Sequence, residues 1–370
     1  MKRIVVVGGS VAAVTTAQSL RVEGYDGQVT ALSEESHPPY SRVPLSKGVL
    51  AGRDSVESAL LPLPSEDIEF RTGLATTADG TDRRYDGLVI ATGTGAHRLT
   101  GDNDLVVRSL NDASTLAARP AAAHSAIVLG DGFLGMEVAG TCRALRLEAT
   151  VIDLVPPLLR LLGPWPAELA VAAARDHGIR IRVAPDGLEV LDEHRVRCGE
   201  SVLTADVIVC AAGDVPNTDW LCCRVAPGAV AAGDVVSSLP HGESARPYRH
   251  DPNFRTGQSG LNIKISGELP LTGTPEVPAG WVDGRSALLR WRHDAGTAAS
   301  VAVTHRLPVI KLKRLGAGVT SAVPARTTRL TQGRDHDLPA FRPLRSARPR
   351  PPRRSRGPGR PARQSERVSA

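Results

Sequence analysis

Aromatic side chains are scarce in this sequence, since Phe, Trp and Tyr make up only 3% of its 370 residues. A hydrophobic core must therefore be built mainly from Val, Leu, Ile and Ala. Cysteine is also rare, with five residues and no Cys-x-x-Cys pair. This usage excludes a disulfide framework and favours a reducing compartment, the cytoplasm. We predict no metal site.

Long apolar runs are missing as well. None approaches the roughly 20 residues that a membrane-spanning helix needs, so we expect no membrane partner. The basic and apolar residues 2–7 resemble the start of a secretory signal, but the apolar part is too short and runs directly into Gly-Gly-Ser. We therefore interpret them as part of the folded protein, whose length suggests two or three domains.

The net charge of +6 is unevenly distributed. Residues 341–370 hold ten Arg and a single acid, Glu366, and contribute +9, so the other 340 residues carry a net charge of −3. A mildly acidic body with one basic tail is not typical of a nucleic-acid-binding domain, and we consider nucleic acid an unlikely partner.

The sequence opens with the pattern of a dinucleotide-binding βαβ unit. An apolar run at residues 4–7 predicts a buried strand, and a turn that contains Gly8, Ser10 and Ala13 leads from it into a helix-compatible segment. Backbone N–H groups of such a turn can bind a pyrophosphate. The next strand ends at Glu35, whose carboxylate is suited to ribose hydroxyls. Because only the first glycine of the G-x-G-x-x-G fingerprint is present, an ordinary βα turn remains the alternative.

The same pattern recurs in complete form after residue 125. A predicted strand leads into Gly130, Gly132 and Gly135, which form G-x-G-x-x-G, and the following strand ends at Asp153. An acid at this position favours a free ribose 2′-hydroxyl and hence NADH, whereas the nearby Arg160 leaves NADPH open.

Other strand ends carry small residues and turns. A predicted strand at residues 85–90 runs into Ala91, Thr92 and Gly93, at the kind of strand end where open α/β sheets bind ligands. Alternating apolar residues from 261 onward predict a small antiparallel sheet. The Arg- and Pro-rich residues that follow cannot bury enough apolar surface to fold, so we expect a disordered tail.

Two such units in one chain, with an Ala-Thr-Gly stop between them and a late Ala-Gly-Asp turn, resemble the two-dinucleotide flavoprotein reductases. Residues 38–47, Pro-Pro-Tyr-Ser-Arg-Val-Pro-Leu-Ser-Lys, are similar to a loop of the FAD-dependent ferredoxin and rubredoxin reductases of the pyridine nucleotide-disulfide oxidoreductase superfamily. The sibling disulfide reductases carry a redox Cys pair in this region, and this sequence has no cysteine before Cys142. The resemblance implies an α/β fold with two Rossmann-like, three-layer nucleotide-binding domains and a small α+β C-terminal interface domain.

The resemblance also divides the chain. It implies an FAD-binding domain at residues 1–108 and 226–255, an NAD-binding domain at 109–225 and an interface domain at 256–316. The tail, residues 317–370, has no counterpart in the family.

Roles for individual residues follow from the resemblance. FAD would be held by Gly8, Ser10, Ala13, Glu35, Arg42, Lys47, Ala91, Thr92, Gly93 and Asp234. NAD(P)H, with NADH favoured, would be held by Gly130, Gly132, Gly135, Asp153 and Gly213. Lys47 and Glu137 would be catalytic, forming an ion pair beside the isoalloxazine ring that tunes the flavin and handles protons.

The implied reaction is hydride transfer from NAD(P)H to FAD, followed by single-electron transfer to a ferredoxin or another small iron–sulfur protein. Two alternatives stay open. The Glu-His-Trp segment with which the family covers its flavin is missing after residue 234, which is consistent with a degenerate member that binds nucleotide without turnover. The basic tail is consistent with a nucleic-acid or scaffold partner.

Overall fold

The computed structural model describes residues 3–63, 68–72, 85–101, 104–118, 123–221, 229–233, 253–267, 269–281, 286–293 and 296–316. Every described residue belongs to one compact unit, Met1–Gln332. Two predictions, the contact of Asp234 with FAD and the disordered tail, fall outside the described residues.

The strands in the described ranges are β1 Arg3–Val7, β2 Gln28–Ser33, β3 Ile68–Thr72, β4 Gly87–Ile90, β5 Thr94–Ala96, β6 Ser125–Leu129, β7 Glu148–Asp153, β8 Ile179–Val183, β9 Leu188–Val190, β10 Arg195–Cys198, β11 Ser201–Thr204, β12 Val207–Cys210, β13 Asp214–Pro216, β14 Val230–Ala231, β15 Asn253–Gln258, β16 Leu261–Gly267, β17 Glu276–Trp281, β18 Ser286–His293 and β19 Gly296–Val303. The helices in these ranges are α1 Val11–Val22, α2 Leu110–Ala118, α3 Phe133–Ala144, α4 Leu159–Leu162, α5 Pro164–Asp176 and α6 Val309–Gly316. Two shorter helical turns, Leu45–Val49 and Val56–Ala59, lie between β2 and β3.

The first sheet is parallel and has the strand order β14-β4-β1-β2-β3. Its strands are buried aliphatic runs, and Ala13 and Ala17 of α1 pack against Val6 and Val29. The chain passes from β1 to β2 on one side and returns to β4 on the other, so the strand order reverses beside β1. The carboxyl ends of β1 and β4 therefore border the crevice in which open α/β sheets bind ligands.

The second sheet repeats this arrangement with the parallel order β12-β6-β7-β8. Alternate residues of its strands face opposite layers. Val128 and Val151 join the core with α3 and α5, whereas Ile127 and Ile152 pack against the antiparallel meander of β9, β10 and β11. Helices on one face and a small sheet on the other make this part a three-layer α/β unit.

The third sheet is antiparallel, with the order β15-β16-β19-β18-β17. Helix α6 packs on it through Leu312, which is fully buried against Leu288 and Ala302. The sheet begins at Asn253, slightly before the predicted domain boundary at residue 256. The α/β fold class, with a small α+β element at the C-terminal end, is thus confirmed. None of the helices in the described ranges is both long and apolar enough to cross a bilayer.

Residues 37–47 contain three prolines, which favour an extended path, but the second half of this segment is helical and buried. Pro44 begins the helical turn Leu45–Val49, in which the Val49 amide donates to the Pro44 carbonyl at 3.1 Å. Proline suits this place because its φ is already near the helical value. Leu45 and Val49 are buried in the same core as α2 and α3, so the turn is held against the second nucleotide-binding unit rather than lying on the surface.

Candidate functional site

The turn after β1 is shaped so that only glycine fits at its first position. Gly8 has φ +136°, and a β-carbon added there would overlap the carbonyl oxygen of Ala91 at the end of β4. Its amide donates to the Leu32 carbonyl at 2.8 Å, which ties the turn to β2. Ser10 then occupies the N-cap position of α1 in an extended conformation, and Ala13 is fully buried. The N-terminus of α1 therefore opens onto the carboxyl ends of three strands.

A cavity of about 920 Å³ lies at this turn, near the upper end of the volumes that ligand pockets span. Among the residues predicted to contact FAD, its wall contains Gly8, Ser10, Glu35, Arg42, Ala91, Thr92 and Gly93. Of the described residues in that prediction, Ala13 and Lys47 do not line it. Other lining residues, which the sequence did not single out, include Tyr40, Arg108, Asn217, Trp220 and Gly233.

A hydrogen-bonded cluster of Glu35, Tyr40 and Arg42 forms part of this wall. The Glu35 carboxylate accepts a short hydrogen bond from the Tyr40 hydroxyl. It also forms an ion pair with Arg42, whose Nη2 lies 2.6 Å from Glu35 Oε1. The Tyr40 hydroxyl itself accepts from the Leu110 amide at 3.0 Å, in the first turn of α2. Burial and the hydrogen bond to Glu35 raise the pKa of Tyr40 to about 12, so it remains a neutral donor. The carboxylate that was predicted to meet the ribose is therefore held by protein donors.

Replacing Tyr40 by phenylalanine is expected to lower the free energy of unfolding by about 1–3 kcal/mol, because the Leu110 amide and Glu35 lose a buried partner. Chemical denaturation measures this loss. Tyr25→Phe is the matched control, since among the described residues that hydroxyl makes one long contact, to the Gln28 carbonyl at 3.5 Å. Equal losses in both variants would contradict a structural role for the Tyr40 hydroxyl.

Arg108 brings a second cation to the cavity wall. Its side chain donates to the carbonyl oxygen and the hydroxyl of Thr94, at 2.8 and 2.7 Å, and its backbone carbonyl accepts from Arg42 at 2.6 Å. Asn217, which also lines the cavity, binds Thr92: its backbone carbonyl accepts from the threonine hydroxyl at 2.8 Å, and its side-chain amide donates to the Thr92 carbonyl at 3.1 Å. Gly213 lies nearby on the same connection, and its carbonyl accepts from the His97 amide at 3.0 Å. Through these contacts the segment that follows β12 of the second sheet is bound to the residues that follow β4 at the cavity.

Glu137, on α3, is the centre of a buried polar cluster. Its carboxylate is 7% exposed and accepts from Lys47 Nζ at 2.8 Å, Ser46 Oγ at 2.7 Å and Thr256 Oγ1 at 2.7 Å. The acid on α3 thus binds side chains from two distant segments, the turn after Pro44 and β15. The ion pair that the resemblance implied is present, and Lys47 Nζ also reaches the carbonyl of Val43, a residue that lines the cavity.

In the second glycine turn, two glycines lie against backbone carbonyl groups, compared with one, Gly8, in the first turn. Gly130 has φ +105°, and a β-carbon there would overlap the Ala211 carbonyl, while one at Gly135 would overlap the Gly130 carbonyl. Gly132 differs: it begins α3 with ordinary backbone angles, and no heavy atom of the described residues lies within 4 Å of its added β-carbon. Gly130 and Gly135 therefore allow backbone segments to pack against each other. Gly132 leaves open space at the N-terminus of the helix, where anions bind.

Asp153 ends β7 beside this turn, as predicted from its spacing. Its carboxylate accepts from the Asp131 amide at 3.0 Å and the Leu154 amide at 2.5 Å, and it forms an ion pair with Arg160. It is 17% exposed, so it can still be reached from solvent. The acid whose position favours NADH, Asp153, is thus paired with Arg160, the cation that could bind the 2′-phosphate of NADPH.

Sequence reasoning missed several residues at these sites. Tyr40 and Ser46 lie in the loop that carries the resemblance, so their position was a usable signal. Arg108, Asn217 and Thr256 reach their partners only through the fold, and no local pattern marks them.

The comparisons with known proteins agree with this geometry. Residues 2–236 match the pyridine nucleotide-disulphide oxidoreductase family. The p-cumate 2,3-dioxygenase system ferredoxin–NAD(+) reductase component of Pseudomonas putida is 31% identical over 284 residues, which cover 65% of this chain and 69% of that protein. The biphenyl dioxygenase system ferredoxin–NAD(+) reductase component of Paraburkholderia xenovorans is 26% identical over 88% of this chain and 90% of that protein.

Among solved structures, the covalent putidaredoxin reductase–putidaredoxin complex contains a chain that superposes with a TM-score of 0.71 at 20% identity, over 85% of this chain and 92% of that one. This likeness concerns the fold. The match over residues 2–236, joined to the two glycine cradles and the cavity between strand ends, places this chain in the pyridine nucleotide-disulphide oxidoreductase family.

Proposed function

We propose that this protein is an FAD-dependent oxidoreductase that oxidises NAD(P)H, with NADH preferred, and passes single electrons to a ferredoxin-like iron–sulfur protein. The observation that carries the proposal is the cavity of about 920 Å³ at the first glycine turn, in a chain that has a second, complete glycine cradle. The relatives named as ferredoxin–NAD(+) reductase components support the choice of acceptor.

The residues of the first cradle fit FAD. A turn that admits only glycine lets a pyrophosphate approach backbone N–H groups, and Arg108 supplies positive charge in the same wall, where Arg42 is paired with Glu35. We assign this role to residues 1–108 and 226–255, the nucleotide role to 109–225 and the partner interface to 256–316. Bound FAD would accept a hydride from the nicotinamide and release its electrons singly.

The protein's own residues would orient the nucleotide and place a fixed charge beside the flavin. The cradle at Gly130, Gly132 and Gly135 would orient the pyridine nucleotide, and the contacts of Asn217 with Thr92 join its sheet to the rim of the first cavity. Lys47, held by Glu137, would place a positive charge next to that cavity. A fixed charge in a site shielded from water stabilises developing negative charge more strongly than it would in solvent.

Removing the Asp153 carboxylate is expected to change the choice of nucleotide. Asp153→Ala should raise the KM for NADH by about tenfold or more, the equivalent of one charge-assisted hydrogen bond of about 1.5–3 kcal/mol. NADPH should become the better substrate, because Arg160 loses its ion-pair partner and can meet a 2′-phosphate. Steady-state rates with both nucleotides measure the ratio. Asp192→Ala, in an exposed turn, is the control, and an unchanged ratio in Asp153→Ala would exclude this residue from the site.

We place the protein in the cytoplasm. Cys142, Cys198 and Cys210 are buried free thiols, as expected in a reducing compartment.

The test uses purified full-length protein. Oxidised-flavin absorbance that bleaches with NADH and returns on addition of a [2Fe–2S] ferredoxin supports the proposal. A colourless protein that still binds NADH would instead identify a degenerate family member. Salt-sensitive nucleic-acid binding that is lost on deletion of residues 341–370 would favour the basic tail as the functional part.

A further inference from the structure

A second acid, Asp131, lies inside the glycine cradle that we assign to the pyridine nucleotide. It is the residue between Gly130 and Gly132, it is only 5% exposed, and its amide donates to the Asp153 carboxylate at 3.0 Å. Within the described part of the chain, no group donates a hydrogen bond to its buried Oδ2. A buried carboxylate without a donor is unfavourable, whereas a protonated carboxyl can donate to the neighbouring acid.

The charges around Asp131 favour its protonated form. Asp153, at the end of β7, faces it as a like charge and as a hydrogen-bond acceptor, and Arg160 of α4 opposes this effect only partly because it pairs with Asp153. Burial, followed by these two effects of Asp153, raises the pKa of Asp131 to about 7. The carboxyl therefore changes charge near neutral pH instead of remaining ionised, as an exposed aspartate does.

We propose that Asp131 is a specificity-determining residue whose protonated form favours binding of the pyridine nucleotide, so that binding takes up a proton. The inference rests on the proposed function, because it assigns the second cradle to that nucleotide. A pyrophosphate at the N-terminus of α3 brings negative charge to the turn that contains Asp131. An ionised Asp131 repels it, and a protonated Asp131 does not.

The same residue strengthens the selection against a 2′-phosphate. Asp153 already opposes that group at the end of β7, and an ionised Asp131 would add a second negative charge beside it. Nucleotides with a 2′-phosphate are therefore expected to lose affinity more steeply with rising pH than nucleotides with a free 2′-hydroxyl.

The experiment measures binding of ADP-ribose, which has the pyrophosphate and the ribose but cannot exchange electrons with the flavin. Titration calorimetry of the holoenzyme from pH 6 to 8.5, in two buffers of different ionisation enthalpy, gives both the affinity and the number of protons bound. If binding raises the pKa of Asp131 by about one unit, the affinity falls roughly five- to tenfold over this range, and about half a proton is taken up near pH 7.5.

Asp131→Asn keeps the shape of the side chain but cannot ionise. It is expected to bind ADP-ribose equally well across the range with no proton uptake linked to this site, and Asp192→Asn should behave like the wild type. Two results would overturn the inference while leaving the proposed function intact. One is wild-type binding without pH dependence or proton uptake, and the other is proton uptake in Asp131→Asn that equals that of the wild type. A holoenzyme that binds no ADP-ribose at any pH would overturn both.

Discussion

Replacing Gly132 by valine is expected to abolish reduction by NADH while the protein remains folded and keeps its flavin. The backbone of Gly132 has φ −66° and ψ −171°, an extended conformation that any residue adopts, and an added β-carbon meets no heavy atom of the described residues within 4 Å. The isopropyl group would therefore occupy only the open space at the N-terminus of α3, where a pyrophosphate must approach the backbone. We expect a loss of at least about 100-fold in the rate constant for flavin reduction at low NADH concentration, measured by stopped-flow absorbance.

The neighbouring glycines provide the controls. Gly132→Ala should have a smaller effect, since one methyl group fills less of the space. Gly135→Val should instead destabilise the second sheet, because its β-carbon would overlap the Gly130 carbonyl. Thermal unfolding and flavin content separate the two kinds of loss. Wild-type reduction in Gly132→Val would refute the assignment of the second cradle.

The two glycine turns were predictable because their requirements are local. A buried aliphatic strand, a turn that needs positive φ and a following helix are all encoded within about 20 residues, as the geometry of Gly8 and Gly130 illustrates. The antiparallel sheet at the C-terminal end was predictable for the same reason, because alternation along a single strand such as β16 marks its buried face.

The polar clusters were not predictable in the same way. Thr256 meets Glu137 across 119 positions of sequence, and no periodic pattern relates a threonine on one strand to an acid on a distant helix. The resemblance supplied the pair of Lys47 and Glu137 but not the hydroxyls that satisfy the remaining acceptor sites of the carboxylate. The helical turn after Pro44 could not be predicted locally, because the three prolines of residues 38–44 favour an extended path, whereas burial of Leu45 and Val49 decided the conformation. Tertiary contacts thus outweighed local preference at this point.

Breaking the ion pair between Lys47 and Glu137 is expected to have the second large effect. Lys47→Met keeps the aliphatic stem but leaves a carboxylate that is 7% exposed with only neutral donors among the described residues, namely the hydroxyls of Ser46 and Thr256 and the Gly257 amide at 3.4 Å. The free energy of unfolding should fall by about 1–3 kcal/mol, less than for a fully buried pair because Lys47 is 32% exposed. If the ammonium group faces the flavin, the rate constant for flavin reduction should also fall by tenfold or more, which stopped-flow absorbance measures.

A double-mutant cycle distinguishes the structural role of the pair from its role in electron transfer. Glu137→Gln removes the buried charge and keeps one acceptor oxygen for a hydroxyl, while its NH2 group can donate to the other hydroxyl oxygen once that hydroxyl rotates. The double variant Lys47→Met/Glu137→Gln should therefore recover part of the stability that Lys47→Met loses. The rate of flavin reduction should stay low, because the ammonium group is still missing. Lys264→Met is the control, since that lysine is partly buried and donates to the Leu307 carbonyl at 3.0 Å on the third sheet. Recovery of both stability and reduction rate in the double variant would show that Lys47 serves only to satisfy Glu137, and wild-type reduction and flavin retention in Lys47→Met would remove it from the active site.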